Sequence, residues 1–166
     1  MKIPIYQVDA FSHQLFKGNP AAVCPLTEWL PDELMQNIAQ ENNLAETAFI
    51  VPTHAGYEIR WFTPSVEVDL CGHATLASAH VVFHELGYSG DKIEFHSHRS
   101  GPLTVTKRGS ELVLDFPCDT ISQIEVEPIH SSGLSKAPSA VYKGKTDYLF
   151  VYDAEADICA LQPDFE

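Results

Sequence analysis

The apolar and polar positions between residues 58 and 87 form the most informative pattern in the chain. Residues 58–62 alternate between polar and apolar side chains, which predicts a half-buried strand, and residues 66–70 alternate again. A helix is predicted from His73 to Leu86, with apolar residues on all sides and no carboxylate, Lys or Arg before Glu85. Because a helix that is apolar all round is a buried one, we predict a central helix enclosed by strands.

Apolar periodicity elsewhere predicts the strands that would enclose this helix. They are expected at residues 2–8, 21–26, 46–51, 92–96, 103–107 and 111–116. An amphipathic helix is predicted from Leu30 to Asn42, with Pro31 at its first position and Asn42-Asn43 closing it in a left-handed conformation. Its inward face is predicted to contain Leu34 and Ile38, with Met35 and Ala39 beside them. Together these elements predict one helix-centred domain over residues 1–118.

The remaining residues, 119–166, have a different pattern. Residues 119–135 carry spaced apolar positions and a flexible Ser-Ser-Gly, which indicates a crossing segment. Strands are predicted at 140–143 and 148–152, and a short helix at 154–161. Strands of this kind need partners and a covering layer. We therefore predict that 119–166 begins a second, incomplete domain.

Charge limits the classes of partner. Ten Lys and Arg stand against 23 Asp and Glu, a formal net charge of −13. This balance argues against nucleic acid and against anionic membranes as partners. It still allows a small anionic substrate, since a local group of backbone N–H donors can bind an anion in an acidic protein. A homodimer stays open as an assembly.

Cysteine usage bears on the cellular compartment. Cys24, Cys71, Cys118 and Cys159 are widely spaced, and none forms a Cys-x-x-Cys pair. The pattern indicates neither a zinc site nor a dense disulfide framework. The first residues contain no sustained apolar run of the kind found in signal peptides. We expect a cytoplasmic protein with reduced thiols.

Two local patterns could carry chemistry. Glu46 is predicted to share a strand face with Ala48 and Ile50, and a carboxylate among apolar neighbours suits general acid–base catalysis; an exposed strand start is the ordinary alternative. Cys71 precedes Gly72, which is predicted to allow the turn into the helix. The helix N-terminus could activate the Cys71 thiol, although a small buried apolar role is equally ordinary for cysteine.

The helix itself offers two further candidates. Its N-terminus has unpaired N–H groups and the positive end of the helix dipole, which favour an anion such as a carboxylate. His80 and His84 lie four residues apart and could supply two metal ligands, but the sequence offers no third ligand beside them. We therefore predict no metal site there.

Four stretches in the first 75 residues together resemble the PhzF-like family of isomerases, named for phenazine biosynthesis. They are Asp9-Ala10-Phe11 with Gly18-Asn19-Pro20-Ala21-Ala22-Val23, Leu44-Ala45-Glu46-Thr47-Ala48-Phe49, Arg60-Trp61-Phe62-Thr63-Pro64 and Leu70-Cys71-Gly72-His73-Ala74-Thr75. Their order and spacing, rather than any single stretch, make the resemblance specific. The 166 residues are similar to the N-terminal part of a family member.

The resemblance implies an α+β, diaminopimelate-epimerase-like fold: two pseudo-symmetric halves, each with a mainly antiparallel sheet around a central helix, and an active site in the cleft between them. It implies that Glu46 is the acid–base residue of a cofactor-independent isomerase and that Asn19, Cys71, Gly72 and His73 contact a small carboxylate-bearing substrate. No metal or organic cofactor is implied.

Two departures from the family pattern affect this expectation. Many members have Ser where this chain has Ala45, which removes one possible hydroxyl contact to substrate. Members also have a second half with a Gly-rich, Asp-containing motif that would face Glu46, and these 166 residues lack it. The alternative function is therefore a non-catalytic binding or interaction protein built on the first half of the fold.

Overall fold

The computed structural model describes residues 2–14 and 16–164, which belong to two compact units, Met1–Phe116 and Pro117–Glu166. The first unit contains strands β1 (Tyr6–Ala10), β2 (Asn19–Pro25), β3 (Glu46–Thr53), β4 (Gly56–Phe62), β5 (Glu67–Val68), β6 (Lys92–Ser97), β7 (Gly101–Arg108) and β8 (Glu111–Asp115), with helices α1 (Asp32–Asn42) and α2 (Gly72–His84). The second contains β9 (Ser122–Ile124), a 3₁₀ helix (Pro128–Ser131), β10 (Ala140–Lys143), β11 (Tyr148–Val151) and α3 (Glu155–Cys159).

The strands of the first unit form one mixed sheet in the order β1-β2-β3-β4-β6-β7-β8, with β5 paired to β4. Most neighbours are antiparallel, but β2–β3 and β4–β6 are parallel. Parallel neighbours need a crossover connection. Helix α1 lies in the first crossover and α2 in the second. The predicted α+β class, with a mainly antiparallel sheet around a central helix, is confirmed.

Alternation along β3 sends its side chains to two different helices. Ala48 and Ile50 belong to the core around α2, whereas Phe49 and Val51 pack in the cluster that includes α1. All four are buried. Since side chains along a strand alternate between faces, Glu46 has the parity of Ala48 and Ile50 and lies on the α2 face, as the sequence predicts.

Helix α2 is enclosed because its side chains are small enough for the sheet to approach. Ala74, Ala79, Val81 and Val82 are completely buried in the core of this unit. Its buried hydroxyls are also bonded, and Ser78 Oγ donates to the carbonyl oxygen of Ala74 at 2.7 Å. The helix ends at His84 rather than at Leu86. The predicted buried central helix is otherwise present.

Helix α1 differs from its prediction at one end. Pro31, expected at the first helical position, precedes the helix with an extended ψ of 140°. The far end agrees, because Asn43 is left-handed at φ 50° and its N–H bonds to the carbonyl of Ala39. Met35 and Ala39 are the buried residues of the inward face, while Leu34, expected there, is only half-buried.

The second unit contains more regular structure than the sequence indicates. Strands β9, β10 and β11 form an antiparallel sheet in the order β11-β10-β9. Residues 119–135, predicted to be a crossing segment, contain β9 and the 3₁₀ helix. The apolar residues of this segment follow neither helical nor strand periodicity over the length of an element, so the sequence does not predict β9. The proposed domain boundary near residue 118 stays a prediction.

The helices of the described residues are short. The longest, α2, has 13 residues, and none among residues 2–14 and 16–164 combines the length and apolarity needed to cross a bilayer.

Candidate active site

Three side chains from two distant sequence segments meet at the N-terminus of α2. A carboxylate oxygen of Glu46, the sulfur of Cys71 and an imidazole nitrogen of His73 all lie within 4.8 Å of one another. Glu46 Oε2 is 3.2 Å from His73 Nε2, and Cys71 Sγ is 3.4 Å from His73 Nδ1. The three groups therefore form a triangle, in which each ring nitrogen of His73 contacts one of the other two side chains.

The sheet and the helix fix this cluster independently. Glu46 is the first residue of β3 and pairs in parallel register with Ala21 of β2, so its backbone is held by the centre of the sheet. Cys71 precedes the first residue of α2 with extended φ and ψ of −143° and 116°. His73 is the second residue of the helix. A rigid strand start and a rigid helix start thus determine the distances between the three groups.

The cluster is largely removed from water. The side chain of His73 is 9% exposed and that of Glu46 is 19% exposed. Glu46 Oε2 and His73 Nε2 are both buried, and neither has a hydrogen bond of good geometry within the described part of the chain. Their 3.2 Å separation makes them a close pair rather than a well-aligned one. Buried polar atoms without partners are unusual and costly, which makes this place a candidate ligand site.

Burial determines the protonation state of the Cys71 thiol. It raises the pKa of the thiol to about 12, and the nearby Glu46 carboxylate acts in the same direction. The backbone N–H groups of Ala74 and His73 favour the thiolate but do not outweigh burial. The activated thiolate that the helix N-terminus alone would favour is therefore not present at neutral pH. Cys71 is a neutral thiol in this site.

Gly72 has a role that differs from its prediction. It is the first residue of α2 and has no left-handed backbone conformation, so the turn into the helix does not require glycine. A Cβ added there would lie 3.7 Å from Phe116 Cε2 and 3.9 Å from Leu114 Cδ2, which are ordinary contacts. A Cβ at this position would therefore pack against these two side chains without displacing them.

Asn19 lies at the same end of the sheet without joining the cluster. It is the first residue of β2, two residues before Ala21, which pairs with Glu46. Among the described residues its side chain makes no hydrogen bond to Glu46, Cys71 or His73. Asn19 stays a predicted substrate contact.

A charged network, absent from the sequence prediction, holds the segment that leads into the site. Arg60 on β4 binds both carboxylate oxygens of Glu67 on β5, at 2.7 and 2.8 Å, and Asp32 at 2.8 Å. Arg99 binds Glu67 at 2.8 Å and Asp69 at 3.0 Å. These contacts hold residues 67–69, which are separated from Cys71 by Leu70 alone. Partners 7 and 32 residues apart give no local sequence signal.

Replacing Glu67 should therefore weaken the fold in a pH-dependent way. Its hydrogen bonds with Arg60 hold the pKa of the carboxyl below its ordinary value of 4.5. A group with a lowered pKa adds stability above its ordinary pKa, and that stability is lost as the pH falls through the folded value. Glu67→Gln should cost about 2 kcal/mol at pH 7 in denaturant unfolding, and the difference should shrink below pH 4.5.

The control is Glu94→Gln, which removes the exposed ion pair with Lys92. Exposed pairs contribute little, so this variant should stay within about 0.5 kcal/mol of the parent. An equal loss in both variants, or a Glu67→Gln loss that grows in acid, would refute the role of the network.

The other histidine pair lies away from the cluster. His80 and His84 are exposed, their rings are 4.2 Å apart, and His84 Nδ1 is 2.9 Å from the carbonyl oxygen of His80. Within the described residues they join no group of three possible metal ligands. They line a groove of about 850 Å³ between α2, the segment 7–14 and the β7–β8 hairpin, and that groove does not include Glu46, Cys71 or His73.

Comparison with known proteins identifies the family. The sequence pattern of the phenazine biosynthesis-like (PhzC-PhzF) proteins matches residues 8–166. The chain belongs to this family. An uncharacterized isomerase of Pseudomonas aeruginosa is 50% identical over 165 residues, which are 99% of this chain and 63% of that protein. An uncharacterized isomerase of Halalkalibacterium halodurans is 48% identical over 167 residues, with the same two coverages.

Solved structures of PhzF-family proteins agree in fold. The protein from Enterococcus faecalis superposes with a TM-score of 0.90 at 47% identity, over 99% of this chain and 63% of that one. A predicted epimerase of Pseudomonas aeruginosa gives a TM-score of 0.63 at 20% identity, over 85% of this chain and 56% of that one, a likeness of fold alone. The diaminopimelate-epimerase-like fold is thereby confirmed. The chain spans about 63% of the length of the family relatives it matches.

Proposed function

We propose that this chain supplies the proton-transfer site of an isomerase or epimerase acting on a small carboxylate-bearing substrate. One observation carries the proposal: the Glu46 carboxylate lies 3.2 Å from the His73 imidazole, at the N-terminus of a buried helix. Membership of the PhzC-PhzF family and the isomerase names of its relatives support the same class of reaction.

The groups at the helix N-terminus suit the binding step. The first N–H groups of a helix have no partner within it, and together with the dipole they favour a negative charge. Gly72 contributes an N–H and leaves the approach open, because it has no side chain. A substrate carboxylate bound there would bring the neighbouring C–H bond close to Glu46, which starts the adjacent strand.

The carboxylate of Glu46 suits the chemical step. It removes a proton from carbon as a general base and returns that proton to another carbon, or to the other face of the same carbon, as a general acid. The result is a shifted double bond or an inverted centre, with no net loss or gain of atoms. His73 borders the carboxylate, with its Nε2 at 3.2 Å, and the neutral thiol of Cys71 borders the site without carrying the proton.

Deuterium incorporation from solvent tests the proposal. Small carboxylates with an acidic C–H bond would be incubated in D₂O with two proteins and followed by NMR. One is the 166-residue chain; the other is this chain joined to the part of the Enterococcus faecalis protein that the match leaves uncovered. Catalysed exchange in the fused protein supports an isomerase. Carboxylate binding without exchange in either protein favours the alternative, a binding protein.

Gly72→Ala should separate binding from folding. Its new Cβ makes only ordinary contacts, so stability should stay within about 1 kcal/mol of the parent. Side chains of a helix tilt toward its N-terminus, so the methyl group would obstruct the bound anion. The dissociation constant for a carboxylate such as acetate, followed through the Gly72 and His73 amide signals in the parent, should rise roughly tenfold, about 1.4 kcal/mol.

Gly109→Ala provides the opposite control. Gly109 has a φ of 62° in the β7–β8 turn, where alanine is strained. This variant should lose about 1 kcal/mol of stability and keep full carboxylate affinity. Unchanged affinity in Gly72→Ala, or amide signals of Gly72 and His73 that do not respond to carboxylates, would remove the helix N-terminus from substrate binding.

A further inference from the structure

The cluster of Glu46, Cys71 and His73 has the composition of a metal site. Carboxylate, thiolate and imidazole are the protein ligands that zinc takes. The three ligand atoms lie within 4.8 Å of one another. Two of them, Glu46 Oε2 and His73 Nε2, are buried without hydrogen bonds, so they are free to bind an ion that enters.

The contact between Glu46 and His73 is close to the spacing of two ligands of a tetrahedral ion. Zinc–ligand bonds of about 2.0–2.3 Å place neighbouring ligand atoms about 3.3–3.7 Å apart in a tetrahedron. Glu46 Oε2 lies 3.2 Å from His73 Nε2, which suits two ligands of one ion, whereas the 3.4 Å contact of Cys71 Sγ is with Nδ1, the other nitrogen of the ring. One imidazole nitrogen would bind the ion, and small rotations of the Cys71 and Glu46 side chains would complete the triangle of ligands.

We propose that Glu46, Cys71 and His73 bind a thiophilic divalent ion, Zn²⁺ or Cd²⁺, with a fourth position open to water or an anion. The S–H bond of Cys71 breaks, its proton passes to solvent and a metal–sulfur bond forms, with no change of oxidation state. Metal binding is independent of the isomerase activity. A consequence that does rest on that proposed function is inhibition, because the ion occupies the Glu46 oxygen that would carry the proton.

Cobalt(II) provides a visible probe for this site. Cys118 and Cys159 are exposed thiols that would also bind metal, so the titration uses the Cys118→Ser, Cys159→Ser chain. We expect saturable binding of one Co²⁺ per chain with a thiolate-to-cobalt charge-transfer absorption. Zn²⁺ should displace it and remove the absorption, since sites of this kind bind zinc more tightly than cobalt.

Variants of the ligands assign the site. Cys71→Ser should abolish the charge-transfer absorption, and Glu46→Gln should weaken Co²⁺ binding roughly tenfold or more, by loss of an anionic ligand. Cys24→Ser is the matched control, because Cys24 is also a buried free thiol but lies in the cluster around α1. It should keep the absorption. Circular dichroism checks the fold of each variant. If Cys71→Ser is destabilised, the Co²⁺ affinity of the nearly isosteric Glu46→Gln variant decides whether the cluster binds the metal.

Several results would overturn the proposal. They are an absorption that survives Cys71→Ser, an absorption lost in Cys24→Ser, equal Co²⁺ affinity in Glu46→Gln, and absence of saturable Co²⁺ binding in the parent chain. The metal readout and the deuterium-exchange assay are separate measurements. Failure of one therefore leaves the other interpretable.

Discussion

Glu46→Gln should lower the rate of proton exchange by roughly 10²–10⁴-fold, the usual contribution of general acid–base catalysis. The carboxamide keeps the size and shape of the carboxylate but cannot accept and return a proton at neutral pH. In the proposed mechanism, binding depends on the N-terminus of α2 rather than on Glu46, so the loss should fall on kcat, with little change in KM.

Cys71→Ala is the matched comparison, because Cys71 also contacts His73. Burial raises the pKa of this thiol to about 12, so it does not supply a thiolate at neutral pH. We expect a loss well below that of Glu46→Gln. A loss of the same size as that of Glu46→Gln would instead indicate a mechanism in which the thiol carries a proton.

Ala79→Glu should prevent the first unit from folding. Ala79 is completely buried on α2, in the core enclosed by the sheet. A carboxylate there would need space that the packed core lacks and would be an unpaired buried charge, which costs several kcal/mol. Because the free energy of unfolding of a domain is only about 5–15 kcal/mol, this one change would remove most or all of it. Circular dichroism and thermal unfolding measure the result.

His80→Glu is the adjacent control on the same helix. His80 is exposed, so its replacement introduces the same side chain without burying it. This variant should fold cooperatively, with a stability within about 0.5 kcal/mol of the parent. A cooperatively folded Ala79→Glu variant would contradict the enclosed position of α2, and equal damage in both variants would show that the effect is not one of burial.

The sequence predicts α2 well because its signal is strong and local. Thirteen residues without a carboxylate, Lys or Arg describe a helix that strands must surround, and the small residues allow close approach. The alternation of β3 likewise predicts which way Glu46 faces. By contrast, the end of α2 at His84 depends on how the chain turns toward β6, which periodicity does not report.

The protonation state of Cys71 is a property that the local sequence does not predict. The sequence places the thiol at a helix N-terminus, which lowers a thiol pKa, but it does not report how deeply the side chain is buried. Burial is a property of the assembled sheet, and here it outweighs the backbone N–H groups. The same limit applies to Gly72, where the residue type indicates a turn and the backbone shows an ordinary helical start.

Contacts between residues that are far apart in the sequence are the second kind of feature that local patterns do not predict. Glu46 and His73 are brought together across 26 intervening residues, and only the family resemblance placed both in one site. In the Arg60–Glu67–Arg99 network, Arg60 belongs to one of the four family stretches, but nothing in the sequence pairs it with Glu67 or with Arg99. Its members are charged residues on strands and turns, which by residue type alone indicate solvent-exposed positions.

The most direct test of Glu46 as the proton carrier is the position of deuterium in substrate and product recovered from D₂O. With the fused protein, we predict deuterium at the carbon that receives the proton, incorporated at a rate that falls roughly 10²–10⁴-fold in Glu46→Gln and only modestly in Cys71→Ala. Undiminished incorporation by Glu46→Gln would contradict the account, since the proton would then travel through another group.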